Sequence, residues 1–353
     1  MNEYIFPGKV LLDNSGKRVQ ALGGSIYYEN GIYYFYGENK EFTTGKNKIW
    51  TYGVKYYSSN DLYNWKDEGY LIEPSKDKNS ILYPTHCLDR PHIIKNDKTG
   101  KYICWIKFSH PKKESFFVLL EADNFKGPYH IIKNEYRPFN LLVGDFDIYI
   151  TKEKEAFLYF SNMKDGIVAM KLNDDYTDVV GEYRRYYEGF NFPFAREGVA
   201  IFEHDNNLYM ITSGMTGYIP NRSMVALLKS PLGDLVDLGD PSIDDLTNTT
   251  FHSQLSTVFI DPKTHRYIAL CDRWIPSLKF TPKKSEKMIR AAASTNNKNY
   301  KANILELLLL GFMPFNCAKV NTSVADYVWL PIEFIDGIPK IRRHDKRKLN
   351  DLK

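Results

Sequence analysis

Gly23 to Gly37 reads GGSIYYENGIYYFYG, two short aromatic strands either side of Asn30-Gly31, a dipeptide strongly favoured in tight two-residue hairpin turns. Four more segments repeat the form: DRPHIIKNDKTGKYICWIKF from Asp89, DFDIYITKEKEAFLYFSN from Asp145, REGVAIFEHDNNLYMITSG from Arg196 and FHSQLSTVFIDPKTHRYIALCDRW from Phe251. Each is an apolar strand, a polar or glycine turn, and a second strand with an aromatic near its start. Aligned on Tyr33, Tyr102, Phe157, Tyr209 and Tyr267, the second strands recur at spacings of 69, 55, 52 and 58 residues. That is the length of one four-stranded blade with its loops. Further strand pairs follow some hairpins, as in YGVKYYSSNDLYNWKDEGYLI from Tyr52 and FFVLLEADNFKGPYHII from Phe116. The expectation is an all-β chain folded as a five-bladed β-propeller, a closed ring that leaves only short strand edges. Two packed β-sandwiches would bury similar strands but would not repeat one hairpin five times.

The rest of the composition agrees. With 353 residues, 43% hydrophobic and 25% charged, disorder and fibrous structure are excluded. About three quarters of the unfolded surface is buried at this length, so no disulfide or metal is needed for stability. Aromatics reach 15%, which suits strands. Lys+Arg exceed Asp+Glu by 47 to 43, and the surplus is spread out except from Arg342 to Lys353, read as a solvated end; no nucleic-acid footprint emerges. The opening MNEYIFPGKV lacks a basic region followed by an apolar run. The longest apolar stretch, Ile304 to Met313, is broken by Glu306 and Gly311 and falls short of the roughly 20 residues that span a bilayer. A cytoplasmic protein with no membrane partner is expected. Cys87, Cys104, Cys271 and Cys317 have no paired metal spacing and read as reduced structural thiols. The chain reads as one domain over 1–353, with an irregular insertion at about 283–324 whose best helical pattern is Lys301 to Leu310.

The repeat also places chemistry. Counting back 12 or 13 residues from each marker aromatic reaches Asp89, Asp145, Glu197 and Gln254, with Gln20 or Ala21 in the first blade. First strands line a propeller's axis, so these side chains are expected to converge on one pocket. Carboxylates across a channel suit glycoside hydrolysis: one acid protonates the leaving oxygen while a group about 6.5–9.5 Å away activates water, if the anomer is inverted. Glu197, in FPFAREGVAIF, has the apolar surroundings that raise a carboxyl pKa and is the candidate acid. Asp145 is the candidate neighbour that keeps the acid protonated or orients the sugar. For the base, Asp89 is the stronger proton acceptor and Gln254 can hold the water.

These motifs resemble glycoside hydrolase family 43, over most of the chain: QALGGSIYYENGIYYFYGENK, SSNDLYNW, CLDRPHII, GDFDIYI, REGVAIF, ITSGMTGYIPN, TFHSQLSTVF, DRW and DYVWLPIEF. SSNDLYNW is common in that family, whereas CLDRP, REGVAIF, TSGMTGY and TFHSQ together are similar to its exo-β-1,3-galactanase branch. The resemblance implies a five-bladed propeller acting by inversion, Glu197 as general acid and Asp145, rather than Asp147, as the carboxylate that tunes it. The wider family carries an aspartate base at the start of its first blade. Gln20, Ala21 and Leu22 hold none, and resemblance to the branch implies that Asp89 and Gln254 hold or activate the water. Branch members commonly show His where this chain has Leu22, a departure at the subsite that fixes the sugar.

Four further residues are candidate substrate ligands: Glu38 in YGENK, Tyr218 and Trp274 in loops after second strands, where an aromatic face stacks on a pyranose, and Arg196. By strand alternation Arg90 and Arg196 point away from the channel, as structural ion pairs. His252, two residues before Gln254, shares its face and is either a core histidine or a neighbour of a calcium ion or water on the axis; otherwise neither metal nor cofactor is expected. Trp329 reads as core. The function read from these residues is an exo-acting inverting glycosidase taking galactose or a similar sugar from an oligosaccharide. The alternatives are a non-catalytic carbohydrate-binding propeller, or a glycoside phosphorylase with Arg90, Arg196 and Arg273 as phosphate ligands.

Overall fold

All five hairpins form the two inner strands of separate blades in the computed structural model, which describes residues 3–110, 113–346 and 348. The end of the basic stretch, 349–353, lies outside the described residues. Blade one runs Leu22–Glu29, Ile32–Glu38, Val54–Ser59 and Lys66–Ile72, each strand antiparallel to the next. Its hairpin pairs Glu29 with Ile32 around Asn30 and Gly31, both at positive φ (52° and 86°), as a primed turn requires. Blade two is Cys87–Lys95, Tyr102–His110, Lys113–Ala122 and His130–Tyr136. Blade three is Phe146–Ile150, Ala156–Asn162, Gly166–Leu172 and Val179–Tyr186, and blade four is Arg196–His204, Asn207–Gly214, Ser223–Leu228 and Leu235–Asp237.

Blade five departs from this sequential order. Gln254–Ile260 and Tyr267–Arg273 are followed by the insertion, and only then by Leu330–Ile335 and Ile338–Arg342. Ser242–Ile243, from the link after blade four, pairs in parallel with the outermost of these strands. The insertion carries two helices, Pro282–Ser294 and Ile304–Gly311. The second overlaps the expected stretch and runs one residue beyond it. The first was missed, although the Thr281 side chain caps it by accepting from the Lys284 N–H and Pro282 opens it. Among the described residues no helix is long and apolar enough to cross a membrane.

First strands of neighbouring blades touch one another all the way round the axis. Between each pair of blades lies a separate apolar core, and this consumes the aromatics. Trp105, Phe117 and Phe146 fill the gap between blades two and three, and Phe35, Trp65 and Trp329 that between one and five. Trp329 is core, as expected, at 4% exposed. Among the described residues, blades one and five share no strand. Polar ties add to their core: Tyr33 Oη donates to Asp261 Oδ1 (2.7 Å), the Gly23 N–H to Asp272 Oδ2 (3.0 Å) and the Ala21 N–H to Tyr327 Oη (2.8 Å).

Candidate active site

Asp89, Asp145, Glu197 and Gln254 line one cavity of about 180 Å³ on the axis, with Glu38, Arg90, Lys107, Trp50, Tyr218 and Trp274. A β-bulge delivers two of the four, Asp89 and Glu197. In blades one, two and four the first strand slips register just after the axial position, at Leu22-Gly23, Asp89-Arg90 and Glu197-Gly198, and the second residue of each pair has positive φ (61°, 51° and 58°). Bulges re-aim side chains and break simple alternation. Gly23 and Gly198 adopt this backbone freely, whereas Arg90 does so with a side chain. Arg90 therefore does not point to the far face, as alternation predicted, but into the cavity.

The same device corrects the first-blade count. The residue equivalent to Asp89 and Glu197 is Leu22, not Gln20 or Ala21. Leu22 lies 1% exposed in the core between blades one and five, and Gln20 Nε2 turns away to the Ser323 carbonyl (3.2 Å). Its cross-strand partner is Glu38, so blade one does bring a carboxylate to the cavity, from its second strand.

The charges interlock. Lys107 is the cross-strand partner of Asp89 and bridges two carboxylates, with Nζ 3.2 Å from Asp89 Oδ2 and 3.3 Å from Asp145 Oδ1. Arg90 Nε lies 3.0 Å from Asp145 Oδ1, and its Nη2 donates to Gln254 Oε1 (3.1 Å). Gln254 Nε2 donates to Glu197 Oε1 and to Ser213 Oγ, both at 3.1 Å, so both ends of the amide are engaged. Trp50 Nε1 donates to Asp89 Oδ1 (2.7 Å). Burial raises the Asp145 carboxyl, but Arg90 and Lys107 outweigh it and hold it below its ordinary value. No cation contacts Glu197 so closely: burial, and then the Asp145 charge, push it up to about 8. Burial also pushes Glu38 up to about 7, against the pull of Lys40 at 2.7 Å. The cavity thus holds a protonated carboxyl beside an ionised one at neutral pH.

Tyr218 and Trp274 both reach the cavity and stack on each other, centroids 4.6 Å apart at 24°, with Trp50 6.2 Å beyond Tyr218. Arg196 does not reach it. Its guanidinium is tied to the Thr212 side chain and to the Thr212 and Arg222 carbonyls, and it lines a different cavity. Arg273 forks onto Asp326 at 2.8 Å, so of the three arginines invoked for phosphate only Arg90 lines the axial cavity. His252 precedes the strand that starts at Gln254, in a turn at φ 63°, and packs edge-on against Phe280 instead of sharing the axial face. Among the described residues no group of three or more His, Cys, Asp or Glu is arranged to hold a metal. Asp147, the residue passed over for Asp145, is buried against His92 Nε2 (3.1 Å) and the Ile201 N–H (2.9 Å).

Sequence reasoning missed Lys107 and Trp50, and read Cys317, which also lines the cavity, only as a structural thiol. Lys107 becomes readable once the blade-two register is known. Trp50 comes from an irregular loop and Cys317 from a single 3-10 turn in the insertion, and neither carries a periodic signal.

The sequence pattern of glycosyl hydrolases family 43 matches residues 24–245, well over half the chain. The chain belongs to this family. The matched region includes Asp89, Asp145 and Glu197 and stops before Gln254. Among solved structures of family 43, a β-1,3-galactosidase superposes with TM-score 0.78 at 25% identity, over 99% of this chain and 64% of that one. A second β-1,3-galactosidase, solved with galactodeoxynojirimycin, gives 0.77 at 23% over 98% and 100%. An exo-β-1,3-galactanase from Phanerochaete chrysosporium with β-1,3-galactotriose gives 0.75 at 19% over 97% and 67%. The chain thus spans about two thirds of the first and third of these proteins and the full length of the second. No curated protein sequence matches it. Family membership makes this family 43 propeller a glycosidase.

Proposed function

We propose that the protein is an exo-acting glycosidase that releases a terminal galactose, or a similar sugar, from an oligosaccharide with inversion at the anomeric carbon. The observation that carries this reading is the small axial cavity in which a carboxyl held up to about 8, Glu197, faces carboxylates tied to Lys107 and Arg90. A cavity of about 180 Å³ suits one terminal ring and not the middle of a chain. The galactosidase and galactanase names of the similar structures support galactose as the sugar.

Glu197 gives its proton to the glycosidic oxygen as the bond to the anomeric carbon breaks. Asp89 takes a proton from water, whose oxygen forms the new bond from the opposite face. Asp89 is favoured as base because a carboxylate is the stronger proton acceptor: each of its oxygens has one partner, Trp50 or Lys107, and keeps a lone pair for the water, whereas Gln254 Oε1 accepts from Arg90 and its nitrogen steadies the Glu197 carboxyl. Asp145 stays ionised and keeps Glu197 protonated. Tyr218 and Trp274 offer aromatic surface to the sugar.

The test is incubation with β-1,3-galactobiose and a panel of aryl glycosides, following the first-formed anomer by NMR. Free galactose appearing first as the α-anomer from a β-linkage is expected. Retention, internal cleavage products, or no hydrolysis across the panel overturns the reading. Glu197→Gln should lose roughly 10²–10⁴-fold in kcat, and lose less with good leaving groups, which need little protonation.

A further inference from the structure

A second cavity, about 940 Å³, lies between blade four and the insertion and shares no lining residue with the axial one. Arg196 is in its wall and is 3% exposed. Its Nε donates to Thr212 Oγ1 (3.0 Å) and its Nη2 to the Thr212 and Arg222 carbonyls (2.6 and 3.2 Å), while Nη1 takes part in none of these bonds. Among the described residues no carboxylate pairs with it, in contrast to Arg90, which sits on Asp145. A buried cation without a counter-charge is costly to keep, and a guanidinium edge matches a carboxylate in shape and charge. Three acids line the same cavity, and none of them forms an ion pair with Arg196: Glu286 pairs with Arg290 (3.1 Å), Glu188 lies 3.9 Å from Arg185, and Asp237 accepts from the Gly239 N–H (2.8 Å) and acts on Arg196 only from a distance. Across the cavity Ser285 is 3% exposed and its Oγ lacks a hydrogen-bond partner. The rim is aromatic, with Phe194 and Tyr300 centroids 5.6 Å apart and Tyr300 39% exposed.

We propose that this cavity is a second carbohydrate site, for a glycan unit that carries a carboxylate, with the acid group on Arg196 and the ring face on Phe194 and Tyr300. The missing counter-charge selects an anion, and the aromatic rim selects a sugar among anions. The site is independent of the axial chemistry, so it stands or falls separately from the proposed hydrolysis.

The experiment is a calorimetric titration of the wild-type protein with methyl β-D-glucuronoside and, in parallel, with the neutral methyl β-D-glucoside, each repeated in saturating galactose to occupy the axial cavity. The uronoside is expected to bind at least about tenfold more tightly than the glucoside, the scale of a charge-assisted contact, and to keep that affinity in galactose. Arg196→Met should abolish the preference. Tyr300→Ala, at an exposed rim position, should weaken uronoside binding several-fold and leave galactoside hydrolysis unchanged, which keeps the test decisive if the Arg196 variant does not fold. No uronoside binding, equal binding of the two glycosides, displacement by galactose, or indifference to Tyr300→Ala overturns the proposal.

Discussion

Lys107 is worth more to the site than its absence from any sequence motif suggests. It touches Asp89 and Asp145 together, and burial, which would lower its own pKa, is outweighed by those two carboxylates. Hydrolysis needs Glu197 protonated and Asp145 ionised. Glu197 is raised to about 8, so the rate should fall as pH climbs through that value. Asp145 is held below its ordinary value, so it sets no acid limb near neutrality. Lys107→Met removes a cation that pulls both carboxyls down. The alkaline limb of kcat/KM should therefore move up by on the order of one pH unit, and an acid limb should enter from below as Asp145 takes up protons more readily. A merely structural lysine would lower activity without moving either limb. Gln254→Glu tests the neighbouring assignment. A carboxylate there would repel Glu197 and move the alkaline limb further up, but it would also lose the N–H that Gln254 donates to Glu197 Oε1, and the acid so misplaced should lower kcat at neutral pH by about tenfold or more. Retained or increased activity would assign the water to position 254 instead and displace Asp89 as base.

At the scale of the element, the first-strand bulge decides what could be read in advance. The hairpins were legible because their signals are local: polar or glycine turns, Asn30-Gly31 the clearest of them, aromatic second strands and a recurring length between them. The axial quartet was legible because equal offsets survive from blade to blade. What failed needed register. Alternation sent Arg90 outward, and a one-residue bulge turned it inward; counting stopped at Gln20 or Ala21, and the bulge places Leu22 there with Glu38 opposite. Of the two helices that interrupt the fifth blade, only the second showed a helical pattern in advance; the first was visible only as a stretch unlike the repeat. Arg90 offers a direct measure of the bulge. Arg90→Gly and Arg90→Ala delete the same guanidinium, and its contacts to Asp145 and Gln254, so both should lose activity alike. They differ in backbone cost at φ 51°, and the alanine variant should be about 1 kcal/mol the less stable by urea titration. Equal stabilities would mean that the turn is not strained by a side chain.

At the scale of the molecule, a ring of blades is only as sound as its closing junction, and here no strand crosses between the first blade and the last. The closure is made from side chains: Phe35 and Trp329 edge to face at 5.0 Å, Trp65 against Trp329 at 6.1 Å, and the N-terminal segment bound through the Gly8 N–H to the Tyr327 carbonyl (2.7 Å). Trp105 holds the equivalent depth between blades two and three, where consecutive chain segments keep the blades together even if packing loosens. Truncating either tryptophan to alanine removes a similar buried volume, at a cost of about 3–5 kcal/mol. The outcomes should nonetheless differ in kind. Trp105→Ala should shift a single cooperative unfolding transition without changing its steepness. Trp329→Ala opens the ring at its one non-sequential core, and the axial cavity depends on all five first strands standing in register. Its urea transition should broaden or split, with galactoside hydrolysis lost at lower denaturant than far-ultraviolet circular dichroism. If the two variants instead unfold with identical steepness and lose activity only as the strands melt, the side-chain closure is no weaker than the covalent ones, and the ring behaves as one unit regardless of where the chain ends meet.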